Sequence, residues 1–325
     1  MRPQRARIAV PQSPGIAERL KKEPILSCSA SEIRPRPVIS GLRPVAWPLL
    51  LATSAGILAF GFSRGQPTLF FNLSYAWLVM SLLLCERLLP YRTDWRRPDG
   101  QLRQDLSHTV LNKGLVQLFI VAALGTGLVA PPSSTALSLW PLWLQVAFGL
   151  AASELGLYWA HRLAHEWPLL WRCHSVHHSV KKLWLANTGR FHFIDSLASV
   201  LASLPFLLGS GISMDAVVWV SAITAYIGIL THCNVDMRCG PLSLLFNTPE
   251  LHRWHHAVDP AIGNRNYGEN LMIWDHVFGT YFHRPGEHVE TIGISEHMPA
   301  EFLGQLWLPF RWKKIQAEAA AESQA

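Results

Sequence analysis

Charge is scarce in this 325-residue chain: 15% of its residues are Asp, Glu, Lys or Arg, where a soluble globular protein carries about a quarter. Half of the residues are hydrophobic and the mean hydropathy is +0.17, so the shortage argues against a protein that is soluble throughout. Surplus positive charge is scarcer still once its location is read. Residues 1–43 hold nine Lys/Arg against three Asp/Glu, which accounts for the whole +6, and the remaining 282 residues hold 19 of each sign. A body without excess cation cannot neutralise a phosphate backbone, so no nucleic-acid partner is expected despite a pI near 9.2. The five cysteines (Cys28, Cys85, Cys173, Cys233, Cys239) form no CxxC pair. That disfavours a disulfide framework and a thiolate zinc site, and reduced thiols are expected. No apolar run stands near the N-terminus, so a cleaved signal peptide is not expected either.

What the chain does have is long uncharged stretches. Residues 44–63 and 65–85 each lack charge over about the length that crosses a hydrocarbon core as a helix. Residues 114–153 are uncharged and interrupted by Pro131, Pro132, Ser133 and Ser134, which reads as two further spans, 114–131 and 138–160, joined by a tight turn. A shorter pair, 196–214 and 216–231, divides near Gly209, Gly211 and Asp215 and reads as a hairpin that crosses at least partly. The basic segment before Arg43, rich in proline, cannot bury enough apolar surface to order itself. The expected organisation is therefore a disordered basic tail over 1–43, a membrane domain over 44–315 and a C-terminal helical tail over 316–325. Arg87, Arg92, Arg96, Arg97, Arg103 and Lys113 crowd the loop after the second span. By the positive-inside rule, that loop and the N-terminal tail face the cytoplasm. Even-numbered returns then place residues 161–195 and everything after about 232 on the same side. The fold class expected is all-α: a multi-pass transmembrane protein with a cytoplasmic helical cap.

That cap is where most of the fifteen histidines fall. Three clusters stand out: His161-Arg-Leu-Ala-His165, His174-Ser-Val-His177-His178 and His252-Arg-Trp-His255-His256. Residues at i, i+3 and i+4 share one face of a helix, so each cluster presents its imidazoles together. Pro168 can begin a new helix after the first cluster, and Thr248-Pro249 offers an N-cap and a first-turn proline before the third. Neutral imidazole is the commonest side-chain metal ligand and suits iron, copper, zinc or nickel. Eight are too many for one tetrahedral ion, and a closed structural zinc site would stop at four. Two ions with open positions fit better. Five aromatic residues near the clusters, Trp159, Trp167, Trp171, Trp184 and Trp254, read as a membrane-interface belt, and Lys181-Lys182 as a solvated basic pair.

The order HxxxH, HxxHH, HxxHH among hydrophobic pairs resembles the membrane fatty acid hydroxylase/sterol desaturase superfamily. The likeness extends over Asn247-Thr248-Pro249-Glu250-Leu251-His252-Arg253-Trp254-His255-His256, Asn266-Tyr267-Gly268 and Trp274-Asp275-x-x-Phe278-Gly279-Thr280, and covers about 140–283. It implies a di-iron oxygenase in which histidines hold two iron ions that use O₂ to attack a C–H bond of a lipid, with zinc a possible substitute in purified protein. Its lipid would enter from the bilayer, with the bacterial inner membrane favoured over the endoplasmic reticulum. No His-Pro-Gly-Gly haem segment is present in the chain, so a separate electron donor, cytochrome b5-like or a ferredoxin with its reductase, is implied.

The resemblance also singles out residues between and after the boxes. His232 matches an additional family histidine and is a candidate ninth ligand. His192 resembles a further one that precedes an acidic residue, here Asp195, but lacks the commoner His-Pro form, so a supporting role is favoured over ligation. Asp275 is expected to orient a ligand's remaining N–H, as metal-bound histidine requires. His276 reads as a surface or supporting group, and His108, His283, His288 and His297 as ordinary. Hydroxylation and desaturation begin with the same hydrogen abstraction, and the motifs do not separate them; hydroxylation is preferred. The alternative is a membrane metal transporter or sensor, which would need ligands along the spans, where ionisable groups are nearly absent.

Overall fold

A computed structural model describes residues 41–126 and 135–323. The expected disordered tail up to residue 40, the Pro131–Ser134 turn and residues 324–325 lie outside the described residues. Eleven α-helices occur among the described residues, and only isolated β-bridges join their loops. The all-α expectation is met.

Helices α1 (Ala46–Ser63) and α2 (Pro67–Leu88) form a hairpin around the turn at Gly65, whose φ of 66° suits a residue without Cβ. The next long helices are α3 (Leu102–Gly125) and α4 (Leu142–Glu166), followed by α5 (Pro168–His178). A second apolar pair follows, α6 (Phe193–Gly209) and α7 (Met214–Thr231). Three of these helices, α1, α2 and α7, are long and apolar enough to cross a membrane, and α6 is a shorter apolar helix of 17 residues. Of the spans expected at 114–131 and 138–160, residues 114–125 and 142–160 lie in the longer helices α3 and α4, and residues 127–131 lie outside the described residues. Helix α3 starts at Leu102 and takes in Arg103, Asp105 and Lys113, while α4 carries buried Gln145, Ser153 and Glu154 and ends in the first histidine cluster. Asp105, Gln145 and Glu154 serve contacts inside the protein, with Arg190, the Ser213 N–H and the Glu269–Asn270 backbone.

One core joins α1, α2 and α7 through Trp47, Leu58, Leu78, Leu82, Tyr226 and Leu230, all nearly or fully buried. Another joins α4, α6 and α7 through Leu150, Leu207, Ile212 and Val220. Close helix contact there depends on Gly156 of α4: a Cβ would collide with the carbonyl oxygen of Ala202 in α6. A third cluster, Trp95, Val180, Leu183, Trp254, Val289 and Ile292, lies beyond the ends of these long helices, with Trp254 on the short helix Pro249–His255 and most of the others in loops.

Contacts at those ends place several termini on one side. Glu86, near the end of α2, accepts the backbone N–H groups of Leu185 (2.8 Å) and Asn234 (2.9 Å), the latter three residues past α7. Arg43, just before α1, pairs with Asp236 at 2.9 Å. The beginning of α1 and the ends of α2 and α7 therefore meet. The remaining helices, α8 (Pro249–His255), α9 (Pro260–Gly263), α10 (Ile273–Phe278) and α11 (Phe302–Glu322), complete the described chain. Residues 316–322, expected as tail, continue α11 past its kink at Arg311.

Two surface expectations change. Trp159 and Trp167 are exposed, but Trp254 is buried in the loop core, and Trp171 and Trp184 donate their indole N–H groups to Glu296 (3.0 Å) and Asp105 (3.4 Å). Lys182 is buried rather than solvated, donating to the Arg97 carbonyl at 2.8 Å and lying 3.6 Å from Asp99.

Candidate metal centre

The last turns of α4 carry His161 and His165, one helical turn apart on the same face, and Trp167-Pro168 then redirects the chain into α5 with His174, His177 and His178. Proline at the first position of α5 costs no hydrogen bond, because a first-turn N–H has no helical acceptor. The third cluster lies on α8, which likewise opens with a proline, Pro249. Thr248 occupies the expected cap position, but its hydroxyl pairs with Ser243 (2.9 Å) instead of capping the helix.

These elements converge on two groups of histidines. His161, His165, His174, His178 and His255 form one; His177, His232, His252 and His256 form the other. Within each group the candidate ligand nitrogens lie within 4.8 Å of one another. The two sets abut, with the rings of His178 and His256 stacked at 4.3 Å. His232, at the C-cap of α7, is thus brought in among the eight box histidines. Eight of the nine are buried, and His165 is partly exposed.

In six of the nine rings Nδ1 faces an oxygen acceptor. Nδ1 of His161 faces the Tyr267 carbonyl at 2.7 Å, His177 that of Arg190 at 3.2 Å and His255 that of Arg265 at 2.8 Å. Nδ1 of His165 faces Asn264 Oδ1 at 3.0 Å, His232 faces Asn187 Oδ1 at 3.1 Å and His174 faces Asp195 at 2.8 Å. An N–H bonded to oxygen on one side of a ring leaves a bare lone pair at Nε2 on the other. Nε2 of His161, His174 and His255 is buried without a hydrogen-bond partner. Nε2 of His177 and His232 lie 3.4 Å apart, although both rings donate elsewhere through Nδ1. Two facing lone pairs repel, and a cation between them removes the repulsion.

Burial, reinforced by neighbouring imidazoles, holds His161 down to about 3, and burial does the same for His232. His165, His177, His178, His252, His255 and His256 are lowered well below the usual histidine value by the same two causes. Neutral imidazoles are the form that binds metal. Neither group contains a cysteine, and burial pushes the Cys173 and Cys233 thiols up to about 12. A set of neutral nitrogens suits borderline divalent ions such as iron or zinc.

His192 stands apart. Its Nδ1 accepts the N–H of Ile194 at the start of α6, and its Nε2 donates to the Leu306 carbonyl at 3.1 Å, so both nitrogens serve the fold. Asp275 holds no ring N–H. Its oxygens accept from the backbone of Tyr267 (2.8 Å) and Gly268 (2.7 Å) and from the Thr280 hydroxyl (2.6 Å), fixing the loop whose Tyr267 carbonyl receives His161. The carboxylate that touches a box histidine is Asp195, whose position three residues after His192 gave the only hint of a role. His276 bonds the Leu244 carbonyl (2.9 Å) and His108 bonds Gln305 (3.0 Å), both away from the two groups.

A cavity of about 150 Å³ opens against both groups, reaching His161, His174, His177, His232 and His252. Helices α6 and α7 contribute Asp195, Ser199, Thr224, Gly228 and Thr231; Thr188, Phe191, Glu269 and Asn270 complete the lining. Burial, then the nearby Glu154 and Asp195 carboxylates, pushes Glu269 up to about 8.

The fatty acid hydroxylase family model matches residues 146–280. The chain is 47% identical over 280 residues to the ornithine lipid hydroxylase OlsE of Rhizobium tropici, covering 82% of this chain and 83% of that one. It is 33% identical over 182 residues to the alkylglycerol monooxygenase of Danio rerio, covering 55% of this chain and 39% of the relative. The human alkylglycerol monooxygenase is 34% identical over 128 residues, covering 39% of this chain and 28% of that one. No solved structure matches the chain. Three histidine boxes meeting at one place, together with a relative so similar along most of its length, identify the chain as a member of the fatty acid hydroxylase superfamily.

Proposed function

We propose that this protein is a membrane-bound, O₂-dependent lipid hydroxylase with a histidine-held di-iron centre. The observation that carries the reading is the 3.4 Å approach of the His177 and His232 Nε2 atoms, both directed inward by Nδ1 bonds and both part of a nine-histidine array. His161, His165, His174, His178 and His255 would hold one ion, and His177, His232, His252 and His256 the other. When bound, the pair would supply the site that activates O₂ with two electrons from a separate donor and two protons from solvent, one oxygen atom entering a C–H bond and the other leaving as water. The chain's own residues orient six of the nine imidazoles through their Nδ1 bonds, bury eight of the nine rings and provide a small cavity for the reacting part of the lipid.

Hydroxylation is favoured over desaturation because the relatives are a hydroxylase and monooxygenases. The relative of greatest coverage here is named for an ornithine lipid, which makes an amine-bearing lipid the first substrate to test. Residues 44–315 form the membrane domain in this reading, and the basic tail 1–43 precedes it. Arg43 and Glu86 meet the segment following His232, so the start of α1, the Arg-rich loop after α2 and the metal centre would share one side, the cytoplasmic one by the positive-inside rule. A bacterial inner membrane suits that arrangement. Lipid profiling of host membranes tests the reading directly: the wild-type chain should add one oxygen to a membrane lipid, and His177→Ala should abolish the product. Identical lipid profiles from the two, with metal flux lost in the variant, would replace the enzyme by a metal transporter.

A further inference from the structure

Few hydrocarbon side chains line the cavity beside the histidines. Its single hydrocarbon side chain is Phe191; the rest of its lining outside the imidazoles is Gly228, four hydroxyl residues, an amide and two carboxylates. Among the described residues, neither lysine nor arginine lines it. One of the carboxylates, Asp195, is already committed to His174.

The other, Glu269, is fixed by its backbone. Its N–H donates to Glu154 Oε1 at 2.5 Å, and its carbonyl accepts from Asn247 at 3.3 Å. Glu154 also takes Asn270 through both its backbone N–H and its side-chain amide, each at 2.9 Å. The short loop is thereby clamped on both sides, while the Glu269 carboxyl group has no hydrogen bond or ion pair among the described residues. It also lies outside both histidine groups. A half-buried carboxyl that faces a cavity without a partner has unmet acceptor capacity, and a positively charged donor supplies what is missing. Metal ions would make the centre positive, so a substrate cation beside it needs a carboxylate at that wall.

We infer that Glu269 is a specificity-determining residue that receives the ammonium group of an amine-bearing lipid in the cavity. The inference rests on the lipid-hydroxylase reading and deepens it by naming the substrate's polar group. An ammonium held there gives the Glu269 carboxylate the charged donor it lacks, and a lipid whose amine is acylated cannot do so.

The test measures binding without turnover. Zinc-loaded full-length protein in lipid nanodiscs is titrated with an ornithine lipid carrying its free primary amine, and with the same lipid acetylated on that amine. Wild-type protein should bind the free-amine lipid roughly tenfold to hundredfold more tightly, the value of a charge-assisted hydrogen bond. In Glu269→Gln that ratio should fall below about threefold, with the zinc content unchanged. Equal binding of the two lipids by wild-type protein overturns the inference without needing any variant. A variant that keeps the full ratio, or one that loses zinc, also overturns it, the latter assigning Glu269 to the metal. The two readings fail separately: amine-selective binding without lipid oxidation by iron-loaded protein refutes the hydroxylase, whereas oxidation indifferent to the amine refutes only the role of Glu269.

Discussion

The two histidine groups are built from the same residue type but are anchored differently. In the five-membered group, the loop after the third box does most of the holding: Asn264, the Arg265 carbonyl and the Tyr267 carbonyl receive His165, His255 and His161. A carboxylate, Asp195, receives His174. In the four-membered group, His177 and His232 lean on Arg190 and Asn187, from the segment between α5 and α6. That segment is itself pinned by the buried Arg190–Asp105 ion pair at 2.8 Å, which ties it to α3, and Asn187 is further held through the Lys182 carbonyl at 2.7 Å. One group has a charged acceptor and a partly exposed member, whereas the other has neutral acceptors and full burial. Similar ligand sets can therefore hold two ions that differ in basicity and access, because the surroundings of a histidine tune it as a ligand.

The strongest way to break this comparison is to remove a ligand from the smaller group. His232→Ala leaves three histidines there and the five of the other group untouched. Metal content measured on purified protein should drop from about two ions per chain to about one, since a site with too few protein ligands loses its ion readily. Lipid oxidation should fall below detection. Two ions retained by the variant would show that the small group closes without His232.

A gentler change sharpens the contrast. Asp195→Asn keeps an oxygen opposite His174 Nδ1 and removes the charge. Changing the acceptor behind a ligating histidine costs about 10–100-fold in metal affinity or activity. The loss should fall on the five-membered group alone, visible as one weakened and one unchanged step in a metal titration. Equal weakening of both steps would mean that the groups act as a unit rather than as two differently anchored sites.

Much of this was legible in the sequence. The helical class, the grouping of eight histidines and the beginnings of α5 and α8 followed from i, i+3, i+4 spacing and from Pro168 and Pro249, because local periodicity and proline chemistry encode them. Span limits were less legible for α3 and α4, whose Asp105 and Glu154 are buried against Arg190 and the Glu269–Asn270 loop. An uncharged-run count has no access to such partners. Asp195 and Asp275 show the same limit: both lie near site motifs, but which one reaches an imidazole depends on contacts 21 residues apart in one case and on a folded loop in the other. His192 and His232 looked alike as isolated histidines outside the boxes, and only their tertiary neighbours separate them.

That last pair gives the smallest and most discriminating prediction. His192 accepts the Ile194 N–H at the N-terminus of α6 and donates to Leu306 in α11, so its loss removes a helix cap and one bond between helices. His192→Ala should cost about 1–2 kcal/mol of stability in the detergent-solubilised protein, from the cap and the hydrogen bond together. Because neither nitrogen points into a histidine group, metal content should remain at the wild-type value. The same measurement on His232→Ala should show the opposite pattern, one ion lost. A His192→Ala protein that is short of one ion would place His192 in the centre after all and would break the distinction between histidines that build the fold and histidines that bind.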